Sequence, residues 1–274
     1  MVRFQYISDI HLEFLKSIPK ISKIAENICL LGDIGIPGTN IYSDFISECS
    51  NKFKNVFIIY GNHEYFNTNK TILARGIETM IKREEYANNF PKNVYFLRNS
   101  HVYIHKTYDD VLRILSENDN KDNYIKIIGS TLWTNIDDKI HKKFEDYKRI
   151  YITNSLKITP DYVRLLFEKN KKYIIEEISR ENIKCILMTH HGTHDVCNGK
   201  YIGSNLNSAY CTYINELYNM KNLIACINGH THSNIKENIN VNDHIIKLLS
   251  NCRGYPGENK DIVMYDKDAY FEIN

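Results

Sequence analysis

The chain has 274 residues, with 35 Lys and Arg against 33 Asp and Glu, a net charge of +2 and a pI of about 8.0. That length supports a well-buried core in a single globular domain spanning 1–274, and the balanced charge offers no broad basic stripe for nucleic acid and no membrane-directed field. No apolar run approaches a membrane span, and Met1–Ile7 reads as a strand with Arg3 inside it, not as a signal peptide.

The seven cysteines lack Cys-x-x-Cys spacing, and Cys29, Cys185 and Cys226 sit in apolar, strand-like runs. They read as reduced core residues, so a cytoplasmic, non-secreted protein is expected. The abundance of Lys, Asn, Ile and Tyr reflects AT-rich coding more than any structural demand.

The first expected strand, Arg3–Ser8, delivers Asp9-Ile10-His11. With one residue between them, Asp9 and His11 can project the same way from an extended end and chelate one cation; the alternative is a capping Asp beside a surface His. The second, Asn27–Leu31, ends in Gly32-Asp33, where Asp33 is either a ligand or a loop cap. A short helix over Tyr42–Cys49 leads to the strand Asn55–Ile59, which runs into Gly61-Asn62-His63-Glu64. An amide oxygen and an imidazole at a sheet edge suit metal and phosphate chemistry, although Gly-Asn is also ordinary turn chemistry.

A longer helix is expected over Lys70–Asn88, with Ile72, Ile77, Met80 and Ile81 at helical spacing, then strands at Val94–Leu97 and His101–Lys106. The polar run Glu117–Asn123 reads as a solvated insertion in a hairpin that resumes at Tyr124–Ser130. Residues 131–159 are irregular, hold the single Trp, Trp133, and are the candidate lid or substrate-facing segment.

Thr159-Pro160-Asp161 opens a helix to about Arg180. The strand Ile183–Met188 ends in Thr189-His190-His191-Gly192, a helix is expected over Leu206–Tyr218, and the strand Leu223–Ile227 ends in Asn228-Gly229-His230-Thr231-His232. Asn234–Asn238, His244–Leu249, Ile262–Tyr265 and Ala269–Glu272 read as closing strands of a second sheet. Asp9, His11, Asp33, Asn62, His190, His230 and His232 thus form a seven-member donor set just past strand ends, where open α/β sheets build their sites. Mixed nitrogen and oxygen donors without thiolate point to cations such as Mn, Fe or Zn. His101, His105, His141, His194 and His244 lack that setting and read as non-ligands.

The order Asp-x-His, Gly-Asp, Gly-Asn-His-Glu, a strand-end His and Gly-His-Thr-His resembles the calcineurin-like metallophosphoesterase superfamily, from Asp9 to His232. The resemblance implies a four-layered αββα sandwich with two mixed β-sheets and a dinuclear centre of two divalent ions, manganese first, with iron, zinc, magnesium or nickel as alternatives. It implies Asp9, His11 and His232 on one ion, Asn62, His190 and His230 on the other, and Asp33 bridging. His190 is preferred to His191 because in similar enzymes the ligand comes first after the strand. Such a pair activates water and clamps phosphate oxygens. His63, beside Asn62, is the expected proton donor to the leaving oxygen, or else an anchor of the turn. Glu64 is expected to hydrogen-bond near the ligands.

Departures narrow the substrate. Similar phosphoprotein phosphatases carry an Arg before Gly-Asn-His-Glu and an Asp three residues after the bridging Asp, where this chain has Tyr60 and Ile36. The Asp-Ile-His-Leu-Glu-Phe opening looks more like the phosphodiesterases. The expected activity is therefore hydrolysis of a phosphodiester, a cyclic nucleotide or other small diester, with nucleic acid entering only as substrate. The alternatives are a phosphomonoesterase or phosphoprotein phosphatase, and a non-catalytic interaction module on the same scaffold. Asn251-Cys252-Arg253-Gly254-Tyr255-Pro256 resembles an Asn-Pro-Arg-Gly-Tyr-Pro segment of one subgroup, so Arg253 is a candidate phosphate contact or else a turn residue; His191 is a second candidate for binding substrate.

Overall fold

A computed structural model describes residues 1–66, 83, 86–153, 155–241, 243–258 and 265–273. Its strands are β1 (Val2–Ile7), β2 (Asn27–Leu31), β3 (Asn55–Ile59), β4 (Val94–Phe96), β5 (Ser100–His105), β6 (Val111–Leu112), β7 (Tyr124–Ser130), β8 (Cys185–Thr189), β9 (Leu223–Asn228), β10 (Ile235–Val241), β11 (His244–Ser250) and β12 (Tyr270–Ile273). They build two mixed sheets, ordered β12-β1-β2-β3-β4 and β10-β11-β9-β8-β7-β5-β6. The neighbours β1 to β4 run parallel, as do β7, β8, β9 and β11.

The parallel strands are apolar on both faces because both faces are covered. Cys29, Leu31, Phe57 and Ile59 of the first sheet meet Ile186, Met188, Ala225 and Ile227 of the second in the central layer. Alternate residues Ile28, Leu30, Val56 and Ile58 point outward onto Tyr42, Phe45, Ile46 and Cys49 of the helix Asn40–Lys52. On the other outer face Cys185, Leu187 and Cys226 lie in one cluster with Val163, Phe167, Ile174 and Ile178 of the helix Pro160–Ser179. That helix starts as expected: Thr159 Oγ1 accepts from Tyr162 N at 3.2 Å, with Pro160 in the first turn. Each fully buried Ile, Leu or Phe contributes about 1.5–3 kcal/mol, so the sandwich is held by its three apolar layers. The architecture is the expected αββα sandwich.

Two expectations are corrected, and two others fall largely outside the described residues. The segment 206–218 is not one helix: Asn207–Tyr210 and Asn215–Tyr218 are single turns separated by an extended Cys211. Its backbone is recruited by the loop after β8, with Gly192 N donating to Tyr210 O at 3.0 Å and Thr212 N to Gly192 O at 3.1 Å. The last strand closes the first sheet, not the second: β12 runs antiparallel to β1, with the Phe4 and Phe271 rings stacked at 5.2 Å. Of the helix expected over 70–88, Arg83, Tyr86 and Ala87 are helical, and 70–82, 84 and 85 lie outside the described residues, as do 262–264 of the Ile262–Tyr265 strand.

Candidate metal centre

The C-terminal ends of β1, β2, β3, β8 and β9 bring the seven nominated donors to one edge of the sandwich. Five of them, Asp9, His11, Asp33, His230 and His232, have positive φ, between 48° and 69°. Left-handed backbone is disfavoured for residues with a side chain, and its concentration here marks positions held by their surroundings.

Those surroundings are a web between the strand-end loops. Asp9 N donates to Gly32 O at 3.1 Å, Gly229 N to His190 O at 3.0 Å, and His230 N to Asp9 Oδ2 at 3.0 Å. Glu64, fully buried, accepts from Gly61 N at 2.7 Å, Ile34 N at 2.8 Å and Asp33 N at 2.9 Å, clamping the loops after β2 and β3 together. It acts on the backbone of the donor loops, not on their side chains. Gly61 permits the approach, because a Cβ there would lie 2.2 Å from Asp33 Oδ1 and 2.6 Å from His190.

The donors fall into two groups. Ligand atoms of Asp9, His11 and His232 lie within 4.8 Å of one another, as do those of Asp33, His190 and His230. Asn62 joins the second group, its Oδ1 3.1 Å from His190 Nε2. Asp33 Oδ1 is 3.4 Å from His190 Nε2, and its Oδ2 is 3.8 Å from His63 Nε2.

Each imidazole spends one nitrogen outside its group. His190 Nδ1 donates to Leu31 O at 2.8 Å, His230 Nε2 to Ala209 O at 3.3 Å, and His232 Nδ1 to Glu258 Oε2 at 2.6 Å. Such bonds fix the tautomer and leave the other nitrogen's lone pair for a cation. Buried carboxylate and imidazole donors without thiolate therefore fit a pair of divalent cations.

The packing of these donors against one another sets their charge. Burial would raise the Asp9 and Asp33 carboxyls, but His232 beside Asp9, and His63 and His190 beside Asp33, hold both well below the usual carboxylate range. Burial opposes charge on His190, yet Asp33 pushes it up to about 9; His232 rises to about 10 against its own burial through Asp9 and Glu258. His230 goes the other way, lowered by burial and by His191 and His190.

Several functional candidates escaped the sequence. Glu13 Oε1 lies 2.7 Å from His63 Nδ1, occupying the partner role for which Ile36 offers no carboxylate. Burial opposes charge on His63, but Asp33 and Glu13 push it up to about 9. Tyr255 OH stands 3.3 Å from His63 Nε2, and Asp146 Oδ1 accepts from Asn62 Nδ2 at 2.8 Å, with burial pushing its carboxyl up to about 6. The signal for Glu13 was its place two residues after His11; Asp146 carried none beyond lying in the irregular segment.

A cavity of about 410 Å³ opens on this edge. Phe14, Phe66, Phe144, Tyr201, Tyr210 and Tyr255 give it aromatic walls, and the 131–159 segment adds Lys143, Asp146 and Arg149. The Arg149 guanidinium lies over the Phe66 ring at 4.4 Å. A wider cleft of about 620 Å³ between β10–β11 and β12 is lined by none of the donors.

Arg253 and His191 are not brought to the cavity wall. Arg253 Nη1 donates to Ile10 O at 3.4 Å, and its backbone N to Ser8 O at 3.0 Å. His191 is buried behind the centre, donating from Nδ1 to Thr131 O at 3.2 Å and stacked on Trp133, and burial pushes it down to about 3. His194 stands apart from both donor groups, its Nδ1 accepting from Val196 N at 3.2 Å.

The family model for calcineurin-like phosphoesterases matches residues 2–234. The uncharacterized protein L509 of Acanthamoeba polyphaga mimivirus is 29% identical over 98% of this chain and 96% of its own. Among solved structures, the phosphopantetheinyl hydrolase PptH of Mycobacterium tuberculosis aligns with a TM-score of 0.61 and 14% identity, over 92% of this chain and 89% of that one, a likeness of fold.

Proposed function

Since the chain belongs to the calcineurin-like phosphoesterase family and is a metal-dependent phosphoesterase, we propose that it hydrolyses a small phosphodiester at two divalent cations, manganese first among them. Asp9, His11 and His232 would hold one cation and Asn62, His190 and His230 the other, with Asp33 available to both. The observation that carries this reading is the pair of largely buried donor groups in which His190, His230 and His232 each spend one ring nitrogen on an outside partner. When bound, the two cations supply the Lewis acidity that generates hydroxide near neutral pH and neutralises the phosphoryl oxygens.

The chain's own residues do the rest. His63 Nε2 faces Asp33 and the cavity and gives its proton to the leaving oxygen; Glu13 fixes the ring by holding Nδ1. Tyr255 OH, near Nε2, steadies the same edge of the ring. The aromatic walls screen the reacting phosphate from water, and 131–159 acts as the substrate-facing segment of a single domain.

The diester choice is supported by the supply of cationic side chains. Tyr60 stands where similar phosphoprotein phosphatases carry Arg, and Arg253 points to the Ile10 carbonyl. A monoester has a third terminal oxygen to be clamped. Monoester hydrolysis is the second reading, favoured by the presence of Arg149 in the wall, which would have to leave the face of Phe66.

The deciding experiment strips the enzyme of metal, restores Mn, Zn, Mg or Ni, and compares bis(p-nitrophenyl) phosphate with p-nitrophenyl phosphate, with Asn62→Ala as control. Metal-restored diester turnover that disappears in the variant is expected. A strong monoester preference would reject the diester reading, and loss of both activities with two ions bound would favour the interaction module.

A further inference from the structure

The cavity wall carries an acidic side chain that is neither a nominated donor nor the hydrogen-bond partner of an imidazole. Asp146 opens the one-turn helix Asp146–Arg149 inside the 131–159 segment, lines the cavity, and accepts from Asn62 Nδ2 at 2.8 Å through Oδ1. That bond turns the Asn62 amide so that its oxygen faces His190 Nε2, 3.1 Å away. The other wall carboxylates are differently placed: Asp33 is itself a nominated donor, Glu145 pairs with Lys148 at 2.6 Å and Glu258 with His232 at 2.6 Å. Asn62 is a neutral amide, so its hydrogen bond to Asp146 leaves the carboxylate charge in the cavity wall, where the imidazoles of His63 and His190 also feel it.

We propose that Asp146 is a specificity-determining residue, which positions the Asn62 amide and, by its negative charge in the cavity wall, selects singly charged phosphodiesters over doubly charged monoesters. This rests on the phosphodiester reading. A phosphate monoester carries about −1.5 to −2 at neutral pH because its second proton leaves near pH 6, whereas a diester carries a single charge. An added negative charge several ångströms from a carboxylate in a partly desolvated cavity weakens binding by roughly tenfold.

Two variants separate the two roles. In Asp146→Asn an amide oxygen remains to accept from Asn62 Nδ2, so positioning is kept while the charge is removed; Asp146→Leu removes both. With equal metal content verified for each protein, kcat/KM is measured for bis(p-nitrophenyl) phosphate and p-nitrophenyl phosphate, and binding of inorganic phosphate and dimethyl phosphate is followed by calorimetry. Asp146→Asn is expected to shift the monoester-to-diester ratio about tenfold towards the monoester, chiefly through KM, and to tighten binding of inorganic phosphate more than that of the singly charged dimethyl phosphate. Asp146→Leu is expected to lower kcat for both esters as well. An unchanged ratio and unchanged phosphate binding in Asp146→Asn overturn the proposal. A wild-type preference for the monoester removes the diester reading by itself, and the response of Asp146→Asn still decides the part played by Asp146.

Discussion

Replacing Glu64 by Ala tests whether the loops after β2 and β3 are held by one carboxylate. Three backbone N–H groups, of Gly61, Asp33 and Ile34, converge on its two oxygens at 2.7 to 2.9 Å, and the side chain is fully buried. An unsatisfied buried donor costs about 1–3 kcal/mol, so three left without partners together cost at least about 3 kcal/mol. For a chain of this size each kcal/mol moves the melting temperature by about 2–4 °C, so a fall of about 6–12 °C is expected. Glu64→Gln is intermediate, because its carbonyl can serve Gly61 and Asp33 while its NH2 meets the Ile34 N–H, at a cost of about 1–3 kcal/mol. Thermal and urea denaturation of the metal-free proteins reads the stability, and calorimetric titration with Mn reads the site. Both variants should bind metal more weakly, since the clamp sets the spacing of Asp33 and Asn62. An Ala variant within 1 kcal/mol of wild type, or one no worse than Gln, would refute the clamp.

Other perturbations probe separate links. His63→Ala should cost about 10²–10⁴ in kcat for diesters with alkyl leaving groups and far less for p-nitrophenyl diesters, with Glu13→Gln following the same trend more weakly; a loss independent of the leaving group would exclude proton donation by His63. Gly61→Ala places a Cβ 2.2 Å from Asp33 Oδ1 and should lower the metal content found after gel filtration, whereas retention of two equivalents would contradict the close approach. Lys126, buried and 2.8 Å from Glu177, lies outside the centre. Removing it as Lys126→Ala should destabilise by less than the roughly 3–5 kcal/mol of a buried pair broken outright, because Glu177 keeps Arg180 at 2.8 Å, while kcat is kept, and a matching fall in kcat would show that the two regions are coupled. Manganese at 100 times its Kd should stabilise the protein by about 2.7 kcal/mol; no rise in melting temperature would mean that the donor groups do not bind it.

The strands and donor motifs were legible because their information is local. A buried parallel strand shows itself as an apolar run, and β2 and β3 begin and end where the sequence indicates. Polar residues just beyond such runs must lie at the sheet edge, and all seven nominated donors do. The helix over 160–179 likewise declared itself through Thr159, Pro160 and its apolar spacing.

What the tertiary structure alone decided is which distant residues complete these local units. Glu13 reaches His63 across 50 positions, Asp146 reaches Asn62 across 84, and Tyr255 reaches His63 across 192. No periodicity encodes such pairings, because each arises only when two strand-end loops are stacked side by side. The same cause broke the expected helix at Cys211, whose neighbours bond to Gly192, and moved Tyr270–Ile273 beside β1. Hydrogen-bond demand from non-local backbone outweighed local propensity there. The donor types and their order therefore belong to the sequence, whereas their tautomers, their anchoring and the charge of the cavity wall exist only once the two sheets are packed.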